Sequence, residues 1–544
     1  MKLVSVSEMK AIETLADASG LTYAQMMENA GRGLADIVDD LGADNNWRRV
    51  VGLVGPGNNG GDTLVALAHL AREGWLAKAY CVKRITKDDE LVERLVSAGG
   101  EILLAEQDDE FDSLDALLEE TDILLDGLLG TGIQLPLKPD IANLLFAVQG
   151  VLDTLDEPPF VIAVDCPSGV DCDSGDAADE TVAAHLTVTM AAVKQGLLRL
   201  PAFELVGDIE VVDIGLPENL PAWRDVTRLI PDPEWIAGLL PFRAPDSHKG
   251  TFGTALIAAG SVNYTGAAFL SAKAAYRVGA GLVTLAIPAP LHSALAGQLP
   301  EVTWLLLPHE VGVISRDAAD VVLNNLTRAT ALLVGPGFGM EATTKEFIEK
   351  LLGESSSAKK NTVHMGFTHD AVSKGTGPNE KLPPLVFDAD GLKLLAQIPN
   401  WHTKLPADTI LTPHPGEMSV LTGLTKEEIQ DNREAIAMKY AKEWNCIVVL
   451  KGAFTVIASP DGRIALNPFA SAALARAGTG DVLAGIIVGL RAQGVDAFES
   501  AAAGAWIHAR AGLSALEEVG SAASVLAGDV LDCVNDVMAE LSDL

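Results

Sequence analysis

The chain has 544 residues, more than one ordinary core accommodates, so two or more domains are expected. Hydrophobic residues make up 48% and charged residues 21%, the balance of a soluble globular protein rather than a disordered one. With 39 Lys+Arg against 74 Asp+Glu the formal net charge is −35, which repels nucleic acid and anionic lipid and argues against both as partners. The opening MKLVSVSEMKAIE has no apolar stretch suited to a secretory leader, and no run approaches the length of a membrane span. The five cysteines (Cys81, Cys166, Cys172, Cys446 and Cys533) are odd in number and contain no CxxC, so a disulfide framework is not expected. A reducing, cytoplasmic setting fits better.

Residues 5–40 carry apolar positions at helical spacing and predict helix. VVGLVGPGNNGGDTLVALAHLAREG then reads as strand, glycine loop and helix, and further strands are expected at AKAYCV, DILLDGLLGTG and FVIAVDCPSGVD. Each ends in Gly, Asp or Ser at its carboxyl edge. That order predicts a parallel, doubly wound, Rossmann-like sheet with ligands at the strand ends. From about Gly215 to Gly250 the pattern dissolves into a proline-rich stretch, read as interdomain, which gives expected domains of 1–225 and 226–544. A second α/β series follows in GTALIAAG, GLVTLAIP, ATALLVGPGFG, PLVFDADG, TILTPHPGE, CIVVLKGAFTVI and an AGTGD loop. Residues 352–384 are polar and aperiodic and are expected to form an inserted surface loop.

In the first half, Gly57-Asn58-Asn59-Gly60-Gly61-Asp62 lies where a buried strand turns into a helix. Glycines there let backbone approach a phosphate, and the helix start offers unpaired N–H groups. A tight turn with Asp62 as helix cap is the plainer alternative. Asp126, before Gly130-Thr131-Gly132, and Asp165-Cys166-Pro167-Ser168-Gly169 end two further strands. In a parallel sheet the three loops converge on one edge and bring Asn59, Asp126 and Ser168 together. Oxygen ligands with one formal charge suit a weakly charged cation such as potassium; Asp126 as an ordinary turn carboxylate stays open.

GNNGGD, DGLLGTG, DCPSGVD and the closing GDIEVVDIGLP resemble, in order and spacing, the NAD(P)H-hydrate epimerase family over roughly residues 5–220. The resemblance implies a potassium ion held by Asn59, Asp126 and Ser168. It implies contacts to the hydrate from Asn58, Asn59, Gly60, Gly61 and Asp62, from Gly130, Thr131, Gly132, Ile133, Gln134, Leu135 and Pro136, and from Asp165. Two residues depart from the family pattern. Thr63 stands where Gly is common and is expected to narrow the pocket mouth, and Cys166 stands where an aliphatic residue is common. For catalysis, Asp165 is expected to exchange a proton with the substrate hydroxyl, a carboxylate being suited both to acid–base work and to steadying the ring cation left behind. Hydrogen bonding to a ribose or amide is its alternative role.

In the second half, Ala477-Gly478-Thr479-Gly480-Asp481 precedes an apolar helix and can form an anion hole at a helix start, or simply cap that helix. Together with LKGAFTVI, a strand pair able to clamp a nucleotide, it resembles the ribokinase-like fold. SHKGTFG, AGSVNYTGAAFLSAKAAYRVGAGLVTL, GPGFG, DADG and TPHPGE narrow the resemblance to the ADP/ATP-dependent NAD(P)H-hydrate dehydratases, from about residue 245 to the end. By that resemblance Ala267, Gly337, His414 and Asp481 contact the hydrate, while Lys451, Gly452, Ala453, Phe454, Thr455 and Gly480 hold ADP or ATP. The fused arrangement resembles prokaryotic members, which favours ADP. Alternatives stay open here too: His414 as a packed loop histidine, Lys451 as a carboxylate's counter-ion, and Asp388 and Asp390 as helix caps or aids to a magnesium ion. Asp481 is expected to act as base when the substrate hydroxyl attacks the terminal phosphoryl group.

The expectation is thus a bifunctional enzyme, an isomerase joined to a lyase, that repairs the hydrates of NADH and NADPH and forms a homo-oligomer. A vitamin or sugar kinase fused to a non-catalytic binding module is the rival reading.

Overall fold

In the computed structural model, which describes residues 1–108, 110–353 and 382–544, the helical stretch at the start is two helices rather than one. Val6–Ser19 opens on a capping box between Ser5 and Glu8 and stops at Gly20, whose φ of 112° suits glycine. A second box, Thr22 with Gln25, starts Tyr23–Asn45. The apolar period runs through this break; the caps mark it.

The chain divides into two units, Met1–Leu229 and Ile230–Leu544. The first is built on a seven-stranded sheet in the order Glu101–Leu104, Leu76–Cys81, Arg49–Val54, Ile123–Gly127, Phe160–Val164, Leu186–Met190 and Asp208–Val212. Every pairing is parallel. The chain winds outward from Arg49–Val54 in one direction, then returns to Ile123–Gly127 and winds outward in the other. Loops leaving those two central strands part company and open a crevice at their carboxyl ends. Helices cover both faces, so the inner strands are buried along nearly their whole length rather than alternating. Gly31 permits close packing on one face: a Cβ there would come within 2.5 Å of Val65, on the helix Asn58–Arg72.

In the second unit the strand order is Ile464–Leu466, Val456–Ala458, Ile447–Leu450, Ile410–Leu411, Leu385–Phe387, Ala331–Val334, Thr254–Ala258, Leu282–Pro288 and Thr303–Leu307. Pairing is parallel from Ile447–Leu450 to Thr303–Leu307. It is antiparallel where Ile447–Leu450 turns back through Lys451–Thr455 into Val456–Ala458, and again at Ile464–Leu466. The chain has the expected α/β architecture, a Rossmann-like unit followed by a ribokinase-like one.

The proline-rich stretch is not a bare tether. Pro221 and Pro233 each occupy the first turn of a short helix, where a missing N–H costs nothing. Leu220 and Trp223 pack on the first unit's core, and Ile236 on the second's. Of the polar insert expected at 352–384, residues 354–381 lie outside the described residues. All five cysteines are buried free thiols. Among the described residues no helix is long and apolar enough to cross a membrane.

Two candidate active sites at the carboxyl edges of the sheets

In the first unit the glycine loop forms the opening turn of Asn58–Arg72, capped by Gly57 with no side-chain bond, so Asp62 is not the cap. A Cβ at Gly60 would lie 2.1 Å from the Gly55 carbonyl oxygen, and one at Gly55 would lie 1.9 Å from that of Leu128. Only glycine lets these loops approach so closely. Asn59 Nδ2 donates to the Leu129 carbonyl at 2.6 Å, while its buried Oδ1 has no hydrogen-bond partner among the described residues. Asp126, 2% exposed, accepts from Ser168 Oγ at 2.5 Å and Ser168 N at 2.7 Å. The Leu129 N–H closes the ring by donating to Ser168 Oγ at 2.8 Å. Asn59, Asp126 and Ser168 therefore meet around one backbone segment. Burial raises the Asp126 carboxyl, and the hydrogen bonds from Ser168 and Leu128 pull against it.

A buried carboxyl without a cationic partner among the described residues, beside an orphaned amide oxygen, is a donor set suited to a monovalent cation. Gly130 lies against Asn59, with 3.3 Å between a would-be Cβ and the Asn59 Cβ. Thr131 to Pro136 continue as a half-exposed loop. Thr63 does not narrow the mouth. It is fully buried, donates to the Asn59 carbonyl at 2.9 Å and packs against Gly52 and Gly127 of the sheet. A β-branched residue on an inner helical turn faces the sheet, not the solvent.

Asp165 follows the strand Phe160–Val164 with a positive φ of 66°, a conformation Asp tolerates better than most side chains. Its carboxylate accepts from Thr189 Oγ1 and Met190 N, both at 3.1 Å, and pairs closely with Lys194 Nζ. Lys194 is 2% exposed. It lies in the two-residue strand Val193–Lys194, held by parallel pairing with Leu3–Val4, and its ammonium also donates to Thr189 Oγ1 and the Met190 carbonyl, each at 2.9 Å. Nearby Asp62 is buried and its side chain makes no hydrogen bond among the described residues. Burial, reinforced by Asp165 and Glu13, raises its carboxyl well above the ordinary range, and Lys194 opposes this. Sequence reading missed Lys194 and Glu13, because neither sits in a recognisable loop. It also missed Arg84, whose guanidinium donates to the carbonyl of Gly55 at 3.1 Å.

The second site repeats the scheme with different parts. Gly478, at φ 95°, caps Thr479–Ala492 without any side-chain bond, so Asp481 is not a helix cap. Asp481 makes no side-chain hydrogen bond among the described residues. Its carboxyl is pushed up to about 7 by burial first and by Asp388 second, with Lys451 opposing. Asp388 does not cap a helix either: it accepts from Thr412 Oγ1 and Lys451 Nζ, both at 2.7 Å. Lys451 lies 3.7 Å from Glu417 as well. Burial draws the Lys451 ammonium down, but these two carboxylates outweigh it and raise it. A Cβ on Gly480 would lie 3.5 Å from Lys451 Nζ, which puts that ammonium at the mouth of the glycine loop. Asp390 accepts from Gly339 N at 3.0 Å and Lys393 Nζ at 3.1 Å, tying the GPGFG loop to the DADG turn.

His414 is the N-cap of Pro415–Thr422: its Nδ1 accepts from Gly416 N at 2.9 Å and Glu417 N at 3.3 Å, leaving the ring half exposed. Ala267 and Gly337 touch, since a Cβ on Gly337, at φ 65°, would lie 2.8 Å from that of Ala267. Beside these groups opens a cavity of about 420 Å³ whose lining includes His414, Lys451, Gly452, Ala453, Thr455 and Gly480. Phe454 is not part of its lining. Asn467 and His508 are, and sequence reading gave neither a role.

Two α/β units, each setting a Lys–Asp pair beside a protonatable carboxyl at the carboxyl edge of a parallel sheet, define a two-site enzyme. Residues 23–196 match the family described as YjeF-related protein N-terminus, and residues 255–359 and 377–535 match that described as NAD(P)H-hydrate dehydratase. The chain is 36% identical to a bifunctional NAD(P)H-hydrate repair enzyme, Nnr, of Moorella thermoacetica, over 100% of this chain and 98% of that one. It is 34% identical to the protein of the same description from Thermofilum pendens, over 96% and 93%. The ADP/ATP-dependent NAD(P)H-hydrate dehydratase from Bacillus subtilis, co-crystallised with ATP and magnesium, is 28% identical, with a TM-score of 0.45, over 57% of this chain and 97% of that one. The chain belongs to the family of bifunctional NAD(P)H-hydrate repair enzymes: an epimerase followed by a dehydratase.

Proposed function

We propose that the first unit interconverts the R and S hydrates of NADH and NADPH through Asp165 and Asp62, and that the second dehydrates the S hydrate through Asp481 with ADP as co-substrate. The observation that carries this reading is the same in both units: a lysine pairs with one aspartate while a second carboxyl, without a hydrogen bond among the described residues, is raised by burial.

In the epimerase site the hydrate lies over Asn58–Asp62 and under the loop Gly130–Pro136. Asp62, its carboxyl raised by burial, serves as acid toward the departing hydroxyl. Asp165, paired with Lys194, steadies the cation left on the ring and takes a proton from the water that returns on either face. Asn59, Asp126 and Ser168 would hold a potassium ion, supported by the orphaned Asn59 Oδ1. Such an ion supplies fixed positive charge for an anionic group of the substrate.

In the dehydratase site Ala267, Gly337 and His414 hold the S hydrate, and Lys451–Thr455 with Gly480 hold the nucleotide. Asp481 takes the hydroxyl proton as that oxygen receives the terminal phosphoryl group, leaving AMP. Phosphate is a far better leaving group than hydroxide; the ring nitrogen pushes it out, and loss of a proton from the neighbouring ring carbon to water then restores the reduced cofactor. Asp388 keeps Oδ2 free of hydrogen bonds among the described residues and would meet a magnesium ion arriving on the nucleotide's phosphates. That ion supplies charge neutralisation for phosphoryl transfer. Buried free thiols suit a cytoplasmic setting.

The test is to mix the chain with hydrated NADH and ADP and to follow absorbance of the reduced cofactor together with inorganic phosphate. Phosphate should appear one for one with recovered cofactor, and potassium should hasten conversion of the R hydrate in the parent but not in Asp126→Ala. Accumulation of a stable phosphorylated product would instead make the second unit a kinase.

A further inference from the structure

Two buried polar atoms in the second unit have no hydrogen-bond partner among the described residues and belong to residues lining the 420 Å³ cavity: Asn467 Oδ1 and His508 Nε2. Their neighbours fix what each can do. Asn467 Nδ2 donates to the Ala505 carbonyl at 3.0 Å, which orients the amide and leaves Oδ1 as a pure acceptor. His508 bonds the Thr479 backbone, a contact that favours the protonated ring, so the ring nitrogen there is the donor. Burial pulls the imidazole down to about 4, with the Lys451 charge adding to the effect, so the ring is neutral and Nε2 carries a lone pair. Ala505 and His508 are one turn apart on the helix Ala497–Val519, which brings both acceptors to one wall.

A buried acceptor without a donor is costly, and two on one wall point to a ligand that brings hydrogens to them. The rest of the cavity narrows the choice. Phosphate groups offer only acceptors and belong at Lys451 and Gly480. The lining they share includes the apolar side chains of Phe469, Leu474, Leu483 and Ala509, which suit a flat base rather than a sugar. Of the common purines, adenine presents an amino group at position 6, whereas guanine and hypoxanthine present an oxygen there.

We propose that Asn467 Oδ1 and His508 Nε2 accept hydrogen bonds from the 6-amino group of adenine, and so select adenine nucleotides for the dehydratase site. This rests on reading the cavity as the nucleotide site. It adds the residues that choose the base to those that hold the phosphates.

Calorimetric titration of the full chain with ADP and with purine riboside 5′-diphosphate, which lacks only the 6-amino group, tests it without any turnover. ADP should bind at least about tenfold more tightly to the parent, the usual penalty for stranding buried acceptors. In Asn467→Leu and in His508→Phe the preference should shrink to within about threefold. Equal affinities in the parent would overturn the proposal, and so would a preference unchanged in both variants. If Asn467→Leu does not fold, the parent comparison and His508→Phe, which keeps the ring volume, decide the matter. Failure of both nucleotides to bind would remove the nucleotide site itself, an outcome distinct from equal binding.

Discussion

The two sites use the same pair of residue types to opposite ends. In the first, Lys194 holds Asp165 and leaves Asp62 deep in the fold, raised by burial well above the ordinary carboxylate range. In the second, Lys451 holds Asp388 and leaves Asp481 on the first turn of a helix, raised only to about 7. Depth makes the difference. Deep burial disposes a carboxyl to give a proton, whereas one that titrates near neutrality can take one and return it. The second site adds the Gly478–Gly480 loop and a lysine beside it, the equipment for phosphoryl groups. The first has instead a buried carboxyl and an orphaned amide oxygen around Leu129.

The largest effect expected is on Asp481→Asn. Asn keeps the shape and leaves the Gly478 cap untouched, so folding and nucleotide binding should persist while S-hydrate turnover falls about 10²–10⁴-fold. Loss of a negative charge beside the phosphates should, if anything, tighten ADP. Turnover within a fewfold of the parent, read alongside nucleotide affinity, would mean that the base lies elsewhere.

Lys194→Met should come next. It strands Asp165 beside a buried methionine, and breaking a buried pair by removing one partner costs about 3–5 kcal/mol. Denaturant unfolding should show that loss, and R-to-S conversion should fall about 10²-fold with S-hydrate dehydration unchanged. If epimerisation survives while stability drops, the lysine is only structural.

A subtler test sharpens the contrast in proton affinity. Asp481 must be ionised to act as base, so dehydration should rise with pH through about 7 and fall roughly tenfold per pH unit below it. Asp388 raises Asp481, and Asp388 also occupies Lys451, which lowers it. Asp388→Asn therefore acts twice in one direction and should move the rise to lower pH. A rise displaced upward would reverse the assigned cause.

Much of the fold was legible because strand, glycine and helix recur in a fixed order, and buried parallel strands announce themselves as unbroken apolar runs such as Val50–Val54 and Ile123–Leu125. The break at Gly20 escaped notice because hydrophobic period ignores caps, although Ser5–Glu8 and Thr22–Gln25 mark both starts. At the sites, the loops that meet were visible as motifs, but their partners were not. Lys194 sits in a two-residue strand and owes its place to pairing with Leu3–Val4, far away in sequence. Asn467 and His508 lie on a strand end and an alanine-rich helix, where nothing local announces a ligand. Thr63 was misplaced for the converse reason: its neighbours in sequence line the site, but the helix turns its side chain into the sheet.

The most direct test of two separate sites is one progress curve. Asp165→Asn is given an equal mixture of R and S hydrates with ADP, and recovery of the reduced cofactor is followed by absorbance. The S half should be repaired at the parent's rate, after which recovery should stall with the R half unconverted. Full recovery at the parent's rate, or loss of the S phase as well, would contradict the division of labour between Asp165 and Asp481.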